Sequence, residues 1–421
     1  MKQRILSLAL VLCLLLSLPV LAAEGAAPET IRVNVTIANA GTLVLTQANI
    51  PVSDADGDGA LTINDAMLCT HAIFFEGGAA AGYGSAETDY GLSMTKLWGV
   101  ENGGAYGYYV NNASAWSLAD PIQAGDYITA FVYSDTTTYA DQYTYFDFND
   151  GYVVRDTELQ MTLSAAAFDA DYQPITVPVA NASIVVNGTD TGLTTDENGN
   201  VTLSFAKPGE YTITATSADA VIVPPVAKVT VGYFADCVSH WARPEIEAMA
   251  EAGYMNGDEN GNFNPSATMT RAQLVTTLFR VAAPAADAIP AETSFTDVAE
   301  GAYYAEAVRW ASANGIVTGT SDTTFSPNAP VTRQQLAAIL FRFAQLQGID
   351  VSVGEDTNIL SYNDAADVQE YAISAMQWTC GAGLVGGYDD GTLRPFTEAS
   401  RAEVAVILTR FQALTPAEAT N

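Results

Sequence analysis

The sequence predicts a multidomain α+β chain with a β-rich N-terminal half and an all-α, three-repeat C-terminal array. Three observations carry this. A short pattern recurs three times near the C-terminus: Gly253…Pro265…Arg271, Gly315…Pro327…Arg333 and Gly383…Pro395…Arg401, with the proline twelve residues after the glycine and the arginine six after the proline. Such spacing marks an internal repeat. The first half instead alternates apolar and polar residues, the period of a half-buried strand. At 421 residues, more than one domain is expected.

Residues 1–23 read as a secretory leader, with Lys2 and Arg4 before an apolar run, Ile5 to Leu18, and small residues at Ala22 and Ala23. Removing it leaves no membrane span. Residues 24–150 form the first β-rich domain, with strand patterns at Ile31-Val33-Val35-Ile37 and Tyr127 to Val132. Within it, Asp54, Asp56, Asp58 and Asp65 hold positions 1, 3, 5 and 12 of an acidic loop, Gly59 position 6, Ala60 position 7 and Thr62 position 9. That ligand spacing is EF-hand-like, with Asp in the last place, and predicts a structural calcium held by Asp54, Asp56, Asp58, Ala60, Thr62 and Asp65. The loop resembles those of dockerins but is single. A solvated acidic turn is the alternative.

Further along, the Trp98 to Gly104, Tyr106 to Asn112 and Gly125-Asp126-Tyr127 stretches resemble the small β-domain family that includes the C-terminal domain of transcobalamin. That family can contact corrinoids, but no residue here carries the role over, and core packing of Tyr106, Tyr108 and Tyr109 is the simpler reading. Residues 151–231 carry short strands separated by Asn187-Gly188, Glu197 to Asn200 and Pro208-Gly209-Glu210 turns, which suggests a β-sandwich. The module resembles a bacterial immunoglobulin-like spacer.

The repeats occupy 232–290, 291–350 and 351–421. Each is helix, turn, helix. The second helix opens on a capping box: Thr270 with Gln273, Thr332 with Gln335, Ser400 with Glu403. Arg271, Arg333 and Arg401 then fall at the first helical position, where a cation opposes the helix dipole. Three in register imply a task, either an ion pair inside the array or the capture of an external anion. Arg280, Arg342 and Arg410, nine residues on, sit where a cation is favoured and read as structural. Trp241, Tyr303 and Tyr371 recur twelve residues before the glycines, and Trp310 and Trp378 five before. An aromatic at a fixed helical position is more often core than contact. One unit is too small to bury its own apolar face; three can share a core.

These residues resemble three consecutive S-layer homology domains. The matching features are Phe234-Ala235-Asp236, Phe295-Thr296-Asp297 and Tyr362-Asn363-Asp364, His240-Trp241-Ala242, the glycine-bounded turns, Phe263/Pro265 and Phe325/Pro327, and the Thr-Arg-Ala-Glu-like boxes. The resemblance implies a three-pronged helical spindle that anchors proteins to secondary wall polysaccharides of bacteria, commonly ones bearing pyruvate ketals. It points to Asp236, Trp241, Gly257 and Arg271, to Asp297, Tyr303, Gly319 and Arg333, and to Asp364, Tyr371, Gly387 and Arg401 as binding residues. The second copy departs at Thr323, where the others have Gly261 and Gly391, and the third at Leu393 and Ser400. The first copy fits best.

A net charge of −32 argues against nucleic acid or an anionic membrane as partner. Cys69, Cys237 and Cys380 remain after the leader and make no disulfide framework, with a Cys237–Cys380 bridge as the open alternative. The two histidines, His71 and His240, stand in different modules, and no nucleophile, zinc or phosphate-loop pattern appears. The expected role is a non-enzymatic, secreted protein anchored at the wall. An anchored receptor for a small ligand such as a corrinoid, or a structural S-layer subunit, are the alternatives.

Overall fold

A computed structural model describes residues 30–414; the leader read at 1–23 lies outside them. The chain divides into two compact units. One comprises residues through Asn149 with Thr162–Val201 and Ile213–Ala227; the other comprises Asp150–Met161, Thr202–Thr212 and the chain from Lys228 onward.

In the first unit, β1 (Ile31–Asn39) and β2 (Thr42–Val52) form an antiparallel hairpin running from the Ile31/Val52 pair to Asn39/Thr42. Helices α1 (Ile63–Phe74) and α2 (Ala79–Gly82) follow, then the hairpin β3 (Gly84–Thr88) and β4 (Gly91–Lys96). Strands β5 (Tyr106–Val110), β6 (Ala113–Ser114) and β7 (Tyr127–Val132) complete a sheet of order β2-β1-β7-β5-β6, in which β1 and β7 run parallel. The strand alternation explains the core. Val33, Val35 and Ile37 all point inward and pack with Ile128 and Ala130 against Ile63 and Met67 of α1. Tyr106 is buried, and Tyr109 stacks on Tyr143 with ring centroids 3.7 Å apart.

The chain continues through β8 (Gln142–Phe146), β9 (Asp150–Val154), β10 (Glu158–Phe168), β11 (Pro174–Pro178), β12 (Ser183–Val186), β13 (Thr189–Thr194), β14 (Asn200–Ser204), β15 (Gly209–Thr216), β16 (Ile222–Val223) and β17 (Ala227–Gly232). Within the first unit β10 pairs with β8 and β11, and β12 with β13 and β15, all antiparallel.

The second unit pairs β9 and β17 in parallel. Three helix pairs follow: α3 (Arg243–Glu251) with α4 (Arg271–Ala282), α5 (Ala305–Ala313) with α6 (Arg333–Leu346), and α7 (Ile373–Gly381) with α8 (Arg401–Gln412). Phe263, Phe325, Phe343, Trp310, Trp378 and Leu408 belong to one apolar core shared by all three repeats. Among the described residues, Cys69, Cys237 and Cys380 are free.

The all-α expectation for this region is overturned. The residues entering α4, α6 and α8 are extended, with Thr270 at φ −80° and ψ 159° and its two counterparts alike. Extended segments leave their backbone groups to pair elsewhere. They pair with each other: Met269 N–H donates to Ala399, Ala399 to Val331 and Val331 to Met269, each at 2.9 Å. Antiparallel bridges Thr268/Ser400, Thr270/Pro330 and Thr332/Glu398 accompany this ring. Helices and short β pairings together make the region.

Candidate ligand clefts and acidic loop

The first N–H groups of an α-helix have no partner inside it. Here the next repeat in the ring supplies one. Arg271 N–H donates to Ala329 and Ala272 N–H to Pro327; Arg333 and Gln334 donate to Thr397 and Pro395; Arg401 and Ala402 donate to Ala267 and Pro265. Capping boxes on Thr270, Thr332 and Ser400 satisfy the remainder, as the spacing predicts.

The arginine side chains follow the same circuit. Arg271 Nε donates to the Phe325 carbonyl at 2.8 Å and Nη2 to Thr318 at 2.7 Å. Arg333 bonds Leu393 and Gly386 at 2.8 and 2.7 Å. Arg401 bonds Phe263 and Asn256, both at 2.8 Å, closing the third repeat onto the first. Each guanidinium also lies over a ring: Arg271 over Phe325, Arg401 over Phe263, and Arg333 over Tyr388, which serves where Leu393 replaces the phenylalanine. A cation at the first helical position therefore has a task the sequence reasoning did not weigh: it grips backbone carbonyls of the neighbouring repeat. Desolvation pulls the pKa of Arg271 and of Arg401 below its ordinary value.

Asp236, Asp297 and Asp364 are placed alike. Each carboxylate accepts two backbone N–H groups of its own repeat's turn, from Phe263 and Asn264, Phe325 and Ser326, and Leu393 and Arg394, at 2.6 to 2.9 Å. These bonds stabilise the left-handed Asn264, Ser326 and Arg394. Gly257, Gly319 and Gly387 do not have positive φ. A Cβ at Gly257 would press on the Phe234 ring, at Gly387 on the Tyr362 ring, and at Gly319 on the Ser321 and Thr324 carbonyls as well as on the Phe295 ring.

The aromatics divide. Trp310 and Trp378 are core. Trp241, Tyr303 and Tyr371 are 66%, 66% and 48% exposed, so for these three the core expectation fails. Two clefts show what they do. One, of about 410 Å³, is lined by Gly257, Gln273, Arg280, Tyr303 and Arg401. The other, of about 390 Å³, is lined by Gly319, Gln335, Arg342, Tyr371 and Arg271. Each combines the turn and helix of one repeat, the aromatic of the next and the arginine of the previous one. The same register assigns Gly387, Glu403, Arg410, Trp241 and Arg333 to a third position. Sequence reasoning missed the cleft-lining roles of Gln273, Gln335, Arg280 and Arg342. Their signal was present, because residues seven apart share a helix face.

Among the described residues, Arg271 and Arg401 form no ion pair, whereas Arg333 Nη1 lies 3.6 Å from Glu403 Oε1. Burial pushes the Tyr371 hydroxyl pKa up, and the nearby Arg342 and Arg271 charges oppose that push.

In the first unit, the carboxylates of Asp54, Asp56 and Asp58 lie within 4.8 Å of one another. Asp54 accepts Gly57 N–H at 2.7 Å and Gly59 N–H at 3.0 Å, shaping the loop. Asp65 is fully buried and ties the loop to the helix start, accepting Ala55 and Asp56 N–H at 2.7 and 3.3 Å and the Thr62 N–H and hydroxyl at 3.0 and 2.8 Å. Thr62 caps α1. The loop thus gathers three carboxylates, with Asp65 bonding both the loop backbone and the helix cap at Thr62.

The chain is 29% identical over 200 residues to the "Surface-layer 125 kDa protein" of Lysinibacillus sphaericus, covering 47% of this chain and 16% of that one. It is 27% identical over 224 residues to the "Exoglucanase XynX" of Acetivibrio thermocellus, covering 53% and 20%. The "Cellulosome-anchoring protein" of Acetivibrio thermocellus is 24% identical over 162 residues, covering 38% and 35%. The match thus spans only a minor part of these relatives' length. Among solved structures, "Tandem Ig repeats of Dlar" aligns at 12% identity over 48% of this chain and 97% of that one, with a TM-score of 0.17, too slight to bear on the fold. Residues 233–275, 294–337 and 361–405 match the S-layer homology domain, and the chain carries three of these domains in tandem.

Proposed function

We propose that this chain is a wall-anchored surface protein whose three S-layer homology domains hold an acidic secondary cell-wall polysaccharide and which displays the β-rich unit. Its location is the cell surface, at the wall. One observation supports the ligand class above all: two clefts each present two arginines and an exposed tyrosine on a chain of net charge −32. Guanidinium forks onto carboxylate, the group a pyruvate ketal carries, and an aromatic ring offers a face to a sugar. Several clefts on one core multiply weak single contacts into avidity. Anchoring rather than catalysis is the role we assign. The exoglucanase shares only a fifth of its length with this chain, and its activity is not carried over.

Pelleting the full chain with isolated walls tests the reading. Binding is expected to intact walls and to disappear when the secondary polymer is stripped. Equal binding to stripped walls would sink it.

A calcium ion in the first unit is the second element of the reading. Asp54, Asp56 and Asp58 would supply its ligands, which is a typical oxygen set for this cation. At a hundredfold excess over its Kd, calcium is expected to stabilise that unit by about 2.7 kcal/mol. Thermal melts with and without calcium check this, and Asp54→Ala with Asp58→Ala should abolish the rise. An unchanged melt in the parent protein would refute the site.

A further inference from the structure

We infer that Tyr90 and Trp116, on adjoining turns of the first unit, form a docking surface for a partner segment that bears arginines. The inference is independent of the wall-polymer reading, because neither turn belongs to the repeats.

Both side chains are 90% exposed. Single exposed aromatics are ordinary; two on neighbouring turns make a patch that calls for a partner. Folding requires neither ring. Tyr90 follows Asp89 in the two-residue connection between β3 and β4, where Thr88 pairs with Gly91, and such turns are served best by small or polar residues. Trp116 lies in the loop after β6, and it is Leu118, fully buried, that anchors this loop in the core.

The two turns are fixed and touch. Thr88 Oγ1 accepts the Tyr90 N–H at 3.1 Å and donates to the Gly91 carbonyl at 2.8 Å. Asp120 accepts the Trp116 and Ser117 N–H groups at 2.8 and 3.3 Å. The Ser117 hydroxyl and the Leu118 N–H both donate to the Leu92 carbonyl, at 3.2 and 2.9 Å, which fastens the loop to β4. The approach is so close that a Cβ on Gly91 would come within 3.1 Å of Ser117 Oγ. Turns ordered in advance lose less freedom when a partner arrives.

Charge identifies the occupant. Residues 84–95 and 111–127, which carry both turns, contain Glu87, Asp89, Asp120 and Asp126 and no lysine or arginine. Glu87 and Asp89 are exposed and enter no ion pair among the described residues. A ring face attracts a cation, tryptophan most strongly. Guanidinium suits both features, because it stacks on a ring and forks onto a carboxylate with the same planar group. Tryptophan, tyrosine and arginine are also the residues on which interface affinity concentrates. A neutral sugar would use the rings and leave the carboxylates idle, and an acidic polymer would be repelled by them.

The test titrates the full chain into a fluorescent Arg-Gly-Ser repeat peptide, read by anisotropy at physiological ionic strength. Tyr90→Ala with Trp116→Ala removes two exposed rings, keeps every carboxylate and should leave the melt unchanged. It is expected to weaken binding by about tenfold, and Asp89→Asn alone should weaken it severalfold. A neutral β-linked oligosaccharide serves as the second probe and should show no affinity that depends on the rings. Equal peptide binding by the native and double-ring variants would reduce the attraction to net charge and overturn the inference. So would the absence of peptide binding, or ring-dependent binding of the oligosaccharide alone.

Discussion

Arg271→Ala is expected to lower the stability of the C-terminal unit by about 3–5 kcal/mol. Two charge-assisted bonds disappear, and the carbonyls of Phe325 and Thr318 lose their donor. The side chain is almost fully buried, at 6% exposure, so water does not simply replace it. The Phe325 ring also loses its cationic neighbour. Arg271→Lys should recover little, since an ammonium cannot span two carbonyls as a planar fork does. Denaturant titration of the full chain, followed on the C-terminal transition, measures the loss; a change under 1 kcal/mol would show that the inter-repeat bonds matter little. The same reasoning bears on binding. Loss of wall affinity in an arginine-to-alanine variant reports a broken ring of repeats as readily as a missing ligand contact.

Gly319→Ala is expected to cost about 3 kcal/mol, and more than Gly387→Ala. At Gly319 a methyl group would meet two backbone carbonyl oxygens and the Phe295 ring, and backbone cannot rotate out of the way. At Gly387 the nearest atoms all belong to the ring of Tyr362, a half-buried side chain rather than backbone. Comparing the two melting temperatures checks the order. Equal losses would mean that the close approach at Gly319 is not the reason for glycine there.

Much of this architecture was legible in the sequence because it is written locally. The capping boxes at Thr270, Thr332 and Ser400 need only four consecutive residues. The alternation of Val33, Val35 and Ile37 and the helical spacing behind them need a dozen. What escaped is non-local. The carbonyl partners of Arg271, Arg333 and Arg401 on Phe325, Leu393 and Phe263 lie 54, 60 and 138 residues away. A reading of one repeat at a time sees a cation against its helix dipole and offers an ion pair or an external anion, not a neighbour's carbonyls, as the reason. The β pairing that overturns an all-α array has the same origin, because it exists only when three extended entries meet. Trp241, Tyr303 and Tyr371 show a different limit of periodicity. Fixed spacing shows that a position matters to every repeat but not whether it faces the core or a cleft. In the loop, the carboxylates of Asp54, Asp56 and Asp58 do lie together, as their alternation along one turn suggests. The spacing does not show that Asp65, at the third position of α1, also forms the capping box with Thr62.

The central claim is that arginine-lined clefts between the repeats recognise negative charge on a wall polymer. Its most direct measurement is the affinity of the full chain for purified polysaccharide before and after selective removal of the acidic ketals, each at two salt concentrations. The account predicts tight, salt-weakened binding to the ketal-bearing polymer and a loss of at least tenfold on its neutral counterpart. Equal affinity for both, unmoved by salt, would contradict it.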